Sequence, residues 1–561
     1  MSHRDAAALF ATHEKTLLQA VEATRTREYF SAFDESPSPR VYGENAAVEG
    51  KAAFEAWAGR TFPVSTPGAA GTVAIEKSPY GFALDVSYPR VAPDGIDTLL
   101  AASLAGAKQF RDAGVDARVG VCLEVLHRLH GRIFELANAV QHTSGQAFVM
   151  AFQAGGAHAL DRALEAVAYA YDEMSRVPRT VLWEKPGKGE PLRMEKTFTV
   201  VPRGVSLVIG CNTFPTWNSW PGLFASLATG NPVVVKPHPG AVLPLAITVQ
   251  VCQQVLAEAG FDPALVTLAA EDPADGLAAL LAVRPEVKLV DFTGGNAFGD
   301  WLEENARQAV VFTEKAGVNT VVLDSTDTLK GLCANLAFSF ALYTGQMCTA
   351  PQNVFLPAAG IDTDEGHKTV EEVAAGIGAA LDKLLGDDAR AVELLGGIVN
   401  EGVLSRLEAV GSGSGVVLVE SRAVRHPAFD GALVRTPTLV RLSTADAATY
   451  EQECFGPVAY LIATSGTAES IAEFRRTVRA HGAMTASVYS TSEDVVAAMR
   501  DAALDAGVAL SENLTGGVFV NQSAAFSDFH GTGANPAANA SYTDTAYVAN
   551  RFHVVQSRRH V

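Results

Sequence analysis

Cys348 closes the stretch Gly345-Gln346-Met347-Cys348, and Glu314 lies upstream in Thr313-Glu314-Lys315-Ala316-Gly317. A thiol and a carboxylate can together carry out a two-stage oxidation. The thiolate adds to an aldehyde, a hydride leaves for a nicotinamide ring, and the carboxylate activates the water that hydrolyses the thioester. A cysteine by itself is more often a small buried hydrophobe than a nucleophile. The flanks of Cys348, Tyr343 to Gln346 and Thr349 to Gln352, read as a loop entering a helix, whose N-terminus would lower the thiol pKa. Glu314 could be half of a solvated pair with Lys315. At the end of the strand-like run Ala309 to Phe312, however, it is placed where α/β active sites gather.

Other residues suit a dinucleotide. Lys236 ends a β-branched run, Val233-Val234-Val235, that Pro237 stops from continuing. Such a lysine either faces water or reaches a ribose or phosphate. Phe292-Thr293-Gly294-Gly295-Asn296-Ala297-Phe298-Gly299 couples a strand to a helix through a glycine-rich turn that can offer N–H groups to a phosphate, although it is not the GxGxxG fingerprint. In Glu453-Cys454-Phe455-Gly456-Pro457 the carboxylate could grip a ribose and the ring could pack on a nicotinamide.

These residues must be positioned by an α/β framework. Residues up to about 180 read as mostly helical, with apolar residues at three- and four-residue spacing from Ala159 to Met174. From Thr197 the pattern changes to short β-branched runs, Phe198 to Val201, Val205 to Gly210, Pro232 to Val235, Leu265 to Leu268 and Val287 to Phe292, with helical lengths such as Leu245 to Gly260 between them. A second α/β run offers Thr320 to Leu323, Asn353 to Leu356, Val416 to Leu418, Ala459 to Ile462 and Val518 to Asn521 as strands. The fold class is therefore α/β, with parallel sheets whose ligands sit at the carboxyl ends of their strands. The polar stretch Trp183 to Val201 and the alternating Phe552 to Gln556 read as edge strands that could pair across subunits.

With 561 residues, 48% of them hydrophobic, the chain is expected to fold into about two to four domains. A net charge of −19 spread along the chain argues against a nucleic-acid partner. The start, Met1 to Asp5, leads into an amphipathic stretch, and Pro244 breaks the apolar run Ala241 to Val251, so neither export nor membrane insertion is expected. The six cysteines show no CxxC pair, which indicates neither a disulfide framework nor a metal site and fits a reducing cytoplasm.

Together, and in this order, the motifs resemble the aldehyde dehydrogenase superfamily over essentially the whole chain. The resemblance implies Cys348 as nucleophile, Glu314 as base, Lys236 and Glu453 as ribose contacts, Phe455 against the nicotinamide, and Gly294, Gly295 and Gly299 as the cofactor turn. It implies a helical amino-terminal part of the cofactor domain (1–180), a bridging hairpin (181–202), a Rossmann-type core (203–313), a catalytic domain (314–530) and a carboxyl-terminal bridging or oligomerisation segment (531–561). A homodimer or tetramer is usual for that architecture.

Two positions depart from the superfamily pattern. Its oxyanion asparagine precedes a Phe-Pro pair, and here Thr213 precedes Phe214-Pro215. A one-residue shift would bring in Asn212 instead, and an amide donor suits the role better than a hydroxyl. Three residues after Lys236, where NAD-preferring members commonly carry a ribose-binding glutamate, stands Pro239, preceded by His238. With no carboxylate to repel a 2′-phosphate, NADP is expected slightly ahead of NAD.

Within the superfamily the extended amino-terminal region and the segment Phe529 to Pro536 resemble the phenylacetic acid degradation (PaaN-type) branch. That resemblance implies oxidation of a CoA-linked semialdehyde and, because the chain stops at Val561, a separate hydratase partner. Whether His530 in that segment touches substrate is left open by the sequence. A CoA-acylating aldehyde dehydrogenase, which typically lacks the base glutamate, and a non-catalytic scaffold binding nucleotide or CoA thioester are the alternative readings.

Overall fold

A computed structural model describes residues 6–561 except 411, 412 and 414; the Met1 to Asp5 start lies outside the described residues. Valine-rich strands buried on both faces need helices above and below them, and the cofactor side of the molecule is built that way. Its five parallel strands run in the spatial order Val266–Leu268, Val233–Lys236, Val205–Ile209, Val287–Thr293 and Val310–Glu314. In chain order that is 3-2-1-4-5, which places a topological switch point at the carboxyl end of Val205–Ile209. Lys236 and Glu314 are the last residues of their strands.

The amino-terminal helices Ala6–Thr26, Val115–His130, Ile133–Ser144 and His158–Ser175 share one apolar core with Pro215–Ala228 and Leu243–Glu258. Pro244 starts the last of these rather than breaking it, because proline at the first turn forfeits only an N–H that has no helical partner anyway. Two short antiparallel strands, Ala69–Val73 and Tyr88–Val91, interrupt the expected helical region.

The second sheet has seven strands in the order Val416–Val419, Thr438–Ser443, Val458–Thr464, Asn353–Pro357, Thr320–Leu323, Ala486–Tyr489 and Leu510–Glu512. All neighbours are parallel except the first pair. Thr438–Ser443, Ala486–Tyr489 and Leu510–Glu512 were not expected from the sequence, and Val518 to Asn521 is not a strand. The latter segment spends its hydrogen bonds on the catalytic side instead: Asn521 donates to the Ser339 carbonyl and accepts from Thr349 Oγ1.

A third, antiparallel sheet joins Phe552–His560 to Leu192–Pro202 and Leu192–Pro202 to Thr180–Lys185. The two segments read as candidate edge strands thus pair with each other within the chain. Residues 531–551 do not belong to this bridge. They return to the cofactor domain, where Tyr542, Tyr547 and Val548 join its core. Among the described residues no helix is long and apolar enough to cross a membrane.

One buried ion pair fastens that return. Arg551 donates from Nη1 to Asp291 Oδ2 at 2.8 Å and from Nη2 to Oδ1 at 2.6 Å, and Tyr547 Oη donates to the same Oδ1 at 2.6 Å. The side chains of Arg551 and Asp291 are 0% and 3% exposed, so loss of the guanidinium strands an anion in the sheet core. We expect Arg551→Leu to cost about 3–5 kcal/mol, read as a lower midpoint in urea unfolding. Asp291→Asn combined with Arg551→Leu should recover part of that loss.

Candidate active site

Cys348 is presented by a strained turn. Helix Leu329–Ala341 ends in Leu342–Gly345, in which Tyr343, Thr344 and Gly345 have φ of 53°, 56° and 67°. Left-handed backbone at non-glycine residues costs on the order of 1–3 kcal/mol each and persists only where surroundings hold it. Here Tyr343 Oη donates to the Ser144 carbonyl, and Thr344 Oγ1 donates to Gly396 O at 2.8 Å. Gln346 Nε2 donates to Gly397 O at 3.0 Å. Gly345 is required, because a Cβ there would lie 2.3 Å from the Gly456 carbonyl oxygen.

The expected helix after Cys348 is not formed. Cys348 follows a helix and leads through a turn into strand Asn353–Pro357, since three left-handed residues reverse the chain and Pro351 lacks the N–H that a continuing helix would need. No helix N-terminus acts on the thiol. Burial and then the neighbouring Glu314 push its pKa above the ordinary value, opposite in direction to the lowering that a helix N-terminus would give. Its backbone N–H has no hydrogen-bond partner among the described residues.

Glu314 is 1% exposed. Its Oε2 accepts from Asn218 Nδ2 at 3.0 Å and lies 3.2 Å from His530 Nε2, while Oε1 is buried without a hydrogen bond. Burial by itself would raise the carboxyl pKa. When His530 carries the proton at Nε2, its charge and hydrogen bond, with contributions from Cys348 and Asn218, outweigh burial and hold the carboxyl below the ordinary value. Lys315 does not neutralise it; the ammonium pairs with Asp300 at 2.8 Å and with Glu303.

His530 Nε2 also lies 3.9 Å from Cys348 Sγ. One polar or sulfur side-chain atom from each of Cys348, Glu314 and His530 falls within 4.8 Å of the others. The sequence motifs placed Cys348 and Glu314, whereas Asn218 and the approach of His530 had no motif to mark them.

Asn212 is not brought to this group. Its Nδ2 donates to the Thr143 carbonyl at 3.1 Å, and its Oδ1 lies against Gly240. The Thr213 carbonyl is held by Gln146 Nε2 at 2.8 Å. Helix Pro215–Ala228 starts directly after them, and it is Asn218, on its first turn, that turns an amide toward Glu314.

Of the residues expected to hold a cofactor, Gly295 and Glu453 line a cleft of about 520 Å³, together with Asn296 and Lys315 among others, whereas Phe455 lines a neighbouring pocket with Gly345 and Met347. Gly295 caps helix Asn296–Asn305, and a Cβ on it would meet nothing within 4 Å, so a phosphate can approach the backbone there. Gly294 donates its N–H to Glu314 O at 3.0 Å, tying this turn to the base strand. Gly299 is packed beneath Lys315. Burial raises Glu453 to about 7 despite Arg406 and the Gly317 N–H. The Phe455 carbonyl accepts from Arg406 Nε and Nη2 at 3.0 and 2.8 Å.

Lys236 does not stand free at its strand end. It is buried in an ion pair with Glu271, whose Oε2 also accepts from Leu277 N at 2.7 Å. The expectation that no carboxylate faces this place is thus overturned, because a residue just past the neighbouring strand Val266–Leu268 supplies one. Desolvation and then Lys236 push His238 down to about 4, so it offers no cation to a phosphate at neutral pH.

The chain matches the aldehyde dehydrogenase family over residues 78–533 and belongs to it. It is similar to a solved NAD-dependent aldehyde dehydrogenase from Burkholderia multivorans, with 57% identity over 100% of both chains and a TM-score of 0.96. Vanillin dehydrogenase of Pseudomonas fluorescens is 28% identical over 47% of this chain and 53% of its own length. Aldehyde dehydrogenase citD of Monascus ruber is 28% identical over 56% of this chain and 60% of its own. The chain thus spans little more than half the length of these two relatives. The fold is also shared with Thermus 1-pyrroline-5-carboxylate dehydrogenase with bound NAD, at 18% identity, 95% and 99% coverage and a TM-score of 0.73.

Asn319 is the clamp behind the nucleophile. Its Nδ2 donates to Cys348 O at 2.7 Å and Ala350 O at 2.9 Å, while its Oδ1 accepts from Met484 N at 2.8 Å and Thr485 N at 3.1 Å. Asn319→Ala should cost about 3 kcal/mol or more, through the buried groups left unsatisfied. It should also lower the rate of cofactor reduction at least about tenfold by loosening the Cys348 loop. A thermal melt and a pre-steady-state trace check both.

Proposed function

We propose that this chain oxidises an aldehyde to a carboxylic acid with NAD(P), through a thioester on Cys348. The observation that carries the reading is the meeting of half-buried Cys348 with buried Glu314, whose next residue, Lys315, lines the cleft that holds the glycine turn. Bound there, the nicotinamide would supply the hydride acceptor. The cleft fits a dinucleotide: Gly295 leaves the first turn of its helix open, Glu453 lines the same cleft, and the Lys236–Glu271 pair stands at a neighbouring strand end.

Cys348 adds to the carbonyl carbon, and its own backbone N–H can donate to the developing oxyanion. Loss of the hydride leaves the thioester. Glu314, with Oε1 unpaired, then takes a proton from the water that cleaves it. Retention of this base favours release of a free acid over transfer to CoA. We expect Cys348→Ala to abolish turnover. Glu314→Gln should still give a burst of reduced cofactor while the steady state slows by about 10²–10⁴. Equal loss of burst and steady state, or an acyl-CoA product when free CoA is added, would remove Glu314 from this role.

For the cofactor, Glu271 replaces the sequence-based leaning toward NADP with one toward NAD, since its carboxylate both occupies Lys236 and repels a 2′-phosphate. Comparing kcat/KM for the two cofactors tests this: Glu271→Gln should lower the NAD:NADP ratio by about tenfold, equivalent to ~1.4 kcal/mol. An unchanged ratio would count against it.

The substrate proposed is a CoA-linked semialdehyde of phenylacetate degradation, supported by the resemblance of Phe529 to Pro536 and of the amino-terminal region. A separate hydratase partner belongs to the same reading. A homo-oligomer is supported by Val181, Leu182, Leu192 and Val555, which the bridging sheet leaves exposed.

A further inference from the structure

We propose that His530 is a third catalytic residue, an imidazole that takes the Cys348 thiol proton at Nε2 and shares it with the Glu314 carboxylate. The proposal rests on Cys348 being the nucleophile. It answers a difficulty that the two-residue reading leaves: a half-buried thiol beside a buried carboxylate has no helix dipole to favour its anion, and two adjacent anions repel in a low dielectric.

The geometry of His530 suits that task. The residue is 3% exposed, with Nε2 3.2 Å from Glu314 Oε2 and 3.9 Å from Cys348 Sγ. Its ring is held edge-on by Trp217, with centroids 4.5 Å apart. Its backbone exchanges hydrogen bonds with Tyr542, at 3.3 Å for His530 N to Tyr542 O and 2.9 Å in return. The segment before it is anchored to the amino-terminal helices. Arg162 Nη1 donates to Asp528 O at 2.9 Å, and Phe526 N donates to Glu165 Oε1 at 2.9 Å. A histidine that merely filled space would not need its nitrogen directed at both reacting side chains.

In the step proposed, neutral His530 with its proton on Nδ1 accepts at Nε2. The S–H bond breaks and an N–H bond forms, so the new Nε2–H lies between Sγ and Oε2, two negative acceptors. The thiolate then attacks the aldehyde carbon. When water deprotonated by Glu314 later cleaves the C–S bond, the departing thiolate returns to the same imidazolium. No oxidant or reductant is consumed in these proton steps. The other titratable groups around the trio are Cys211, Glu453 and Tyr542, with Arg162 behind Trp217.

The main readout of the test needs neither aldehyde nor cofactor. Alkylation of Cys348 by iodoacetamide is followed by mass spectrometry of its peptide against pH, in wild type and in His530→Gln. An imidazolium-stabilised thiolate should give a wild-type rate that levels off near pH 7 or below. In His530→Gln the rate at pH 7 should fall at least about tenfold and keep climbing into the alkaline range, and the burst of reduced cofactor should slow in parallel. Superimposable profiles would overturn the proposal. If His530→Gln does not fold, the wild-type profile decides, because a rate still rising above pH 9 excludes the pair. Turnover surviving in Cys348→Ala would instead sink the underlying functional reading, which keeps the two failures distinct.

Discussion

Two groups that both carry negative charge during the chemistry, the Cys348 thiol and the Glu314 carboxylate, are buried together, and the structure around them manages the cost of that burial. A buried anion without compensation is expensive, and two are more so. Asn218 and His530 meet the carboxylate, and Asn319 fixes the loop that carries the thiol. Each comes from a different part of the chain, so the site exists only when those parts are docked.

That docking explains several features that look unrelated along the chain. The amino-terminal helices carry no reacting group, yet Arg162 and Glu165 anchor the segment that ends at His530. The carboxyl-terminal return is locked by the Arg551–Asp291 pair before the chain leaves as the last bridging strand. The strained turn before Cys348 draws on residues 394–399 of the catalytic side and Ser144 of the helical side. Strain at a functional loop is tolerated where the surroundings over-determine it.

The cofactor side shows how a missing sequence signal can be supplied from elsewhere. Pro239 leaves no acidic residue three positions after Lys236, yet Glu271 reaches the same lysine from the neighbouring strand. A parallel sheet places successive strand ends side by side, so one site can draw its charges from residues far apart in sequence. The Lys236 strand end therefore faces a carboxylate despite the local departure from the family pattern.

The sequence by itself determined the α/β class and most strand positions, and it singled out Cys348, Glu314, Lys236, Glu453 and the Gly294–Gly299 turn as candidates, because each lies in a local pattern of strand end, glycine turn or loop that short-range sterics impose. It misjudged Val518 to Asn521, whose β-branched residues suit a strand but whose hydrogen bonds go to the catalytic loop, and it missed three strands of the second sheet. It also placed Cys348 at a helix start, since three left-handed residues cannot be read from Tyr343-Thr344-Gly345. Only the tertiary structure decided that Asn212 turns away and Asn218 turns in, that Glu271 stands against Lys236, and that His530 lies between the thiol and the carboxylate. Those relations depend on which strand ends and returning segments become neighbours, and that is set by packing of the whole chain rather than by spacing along it.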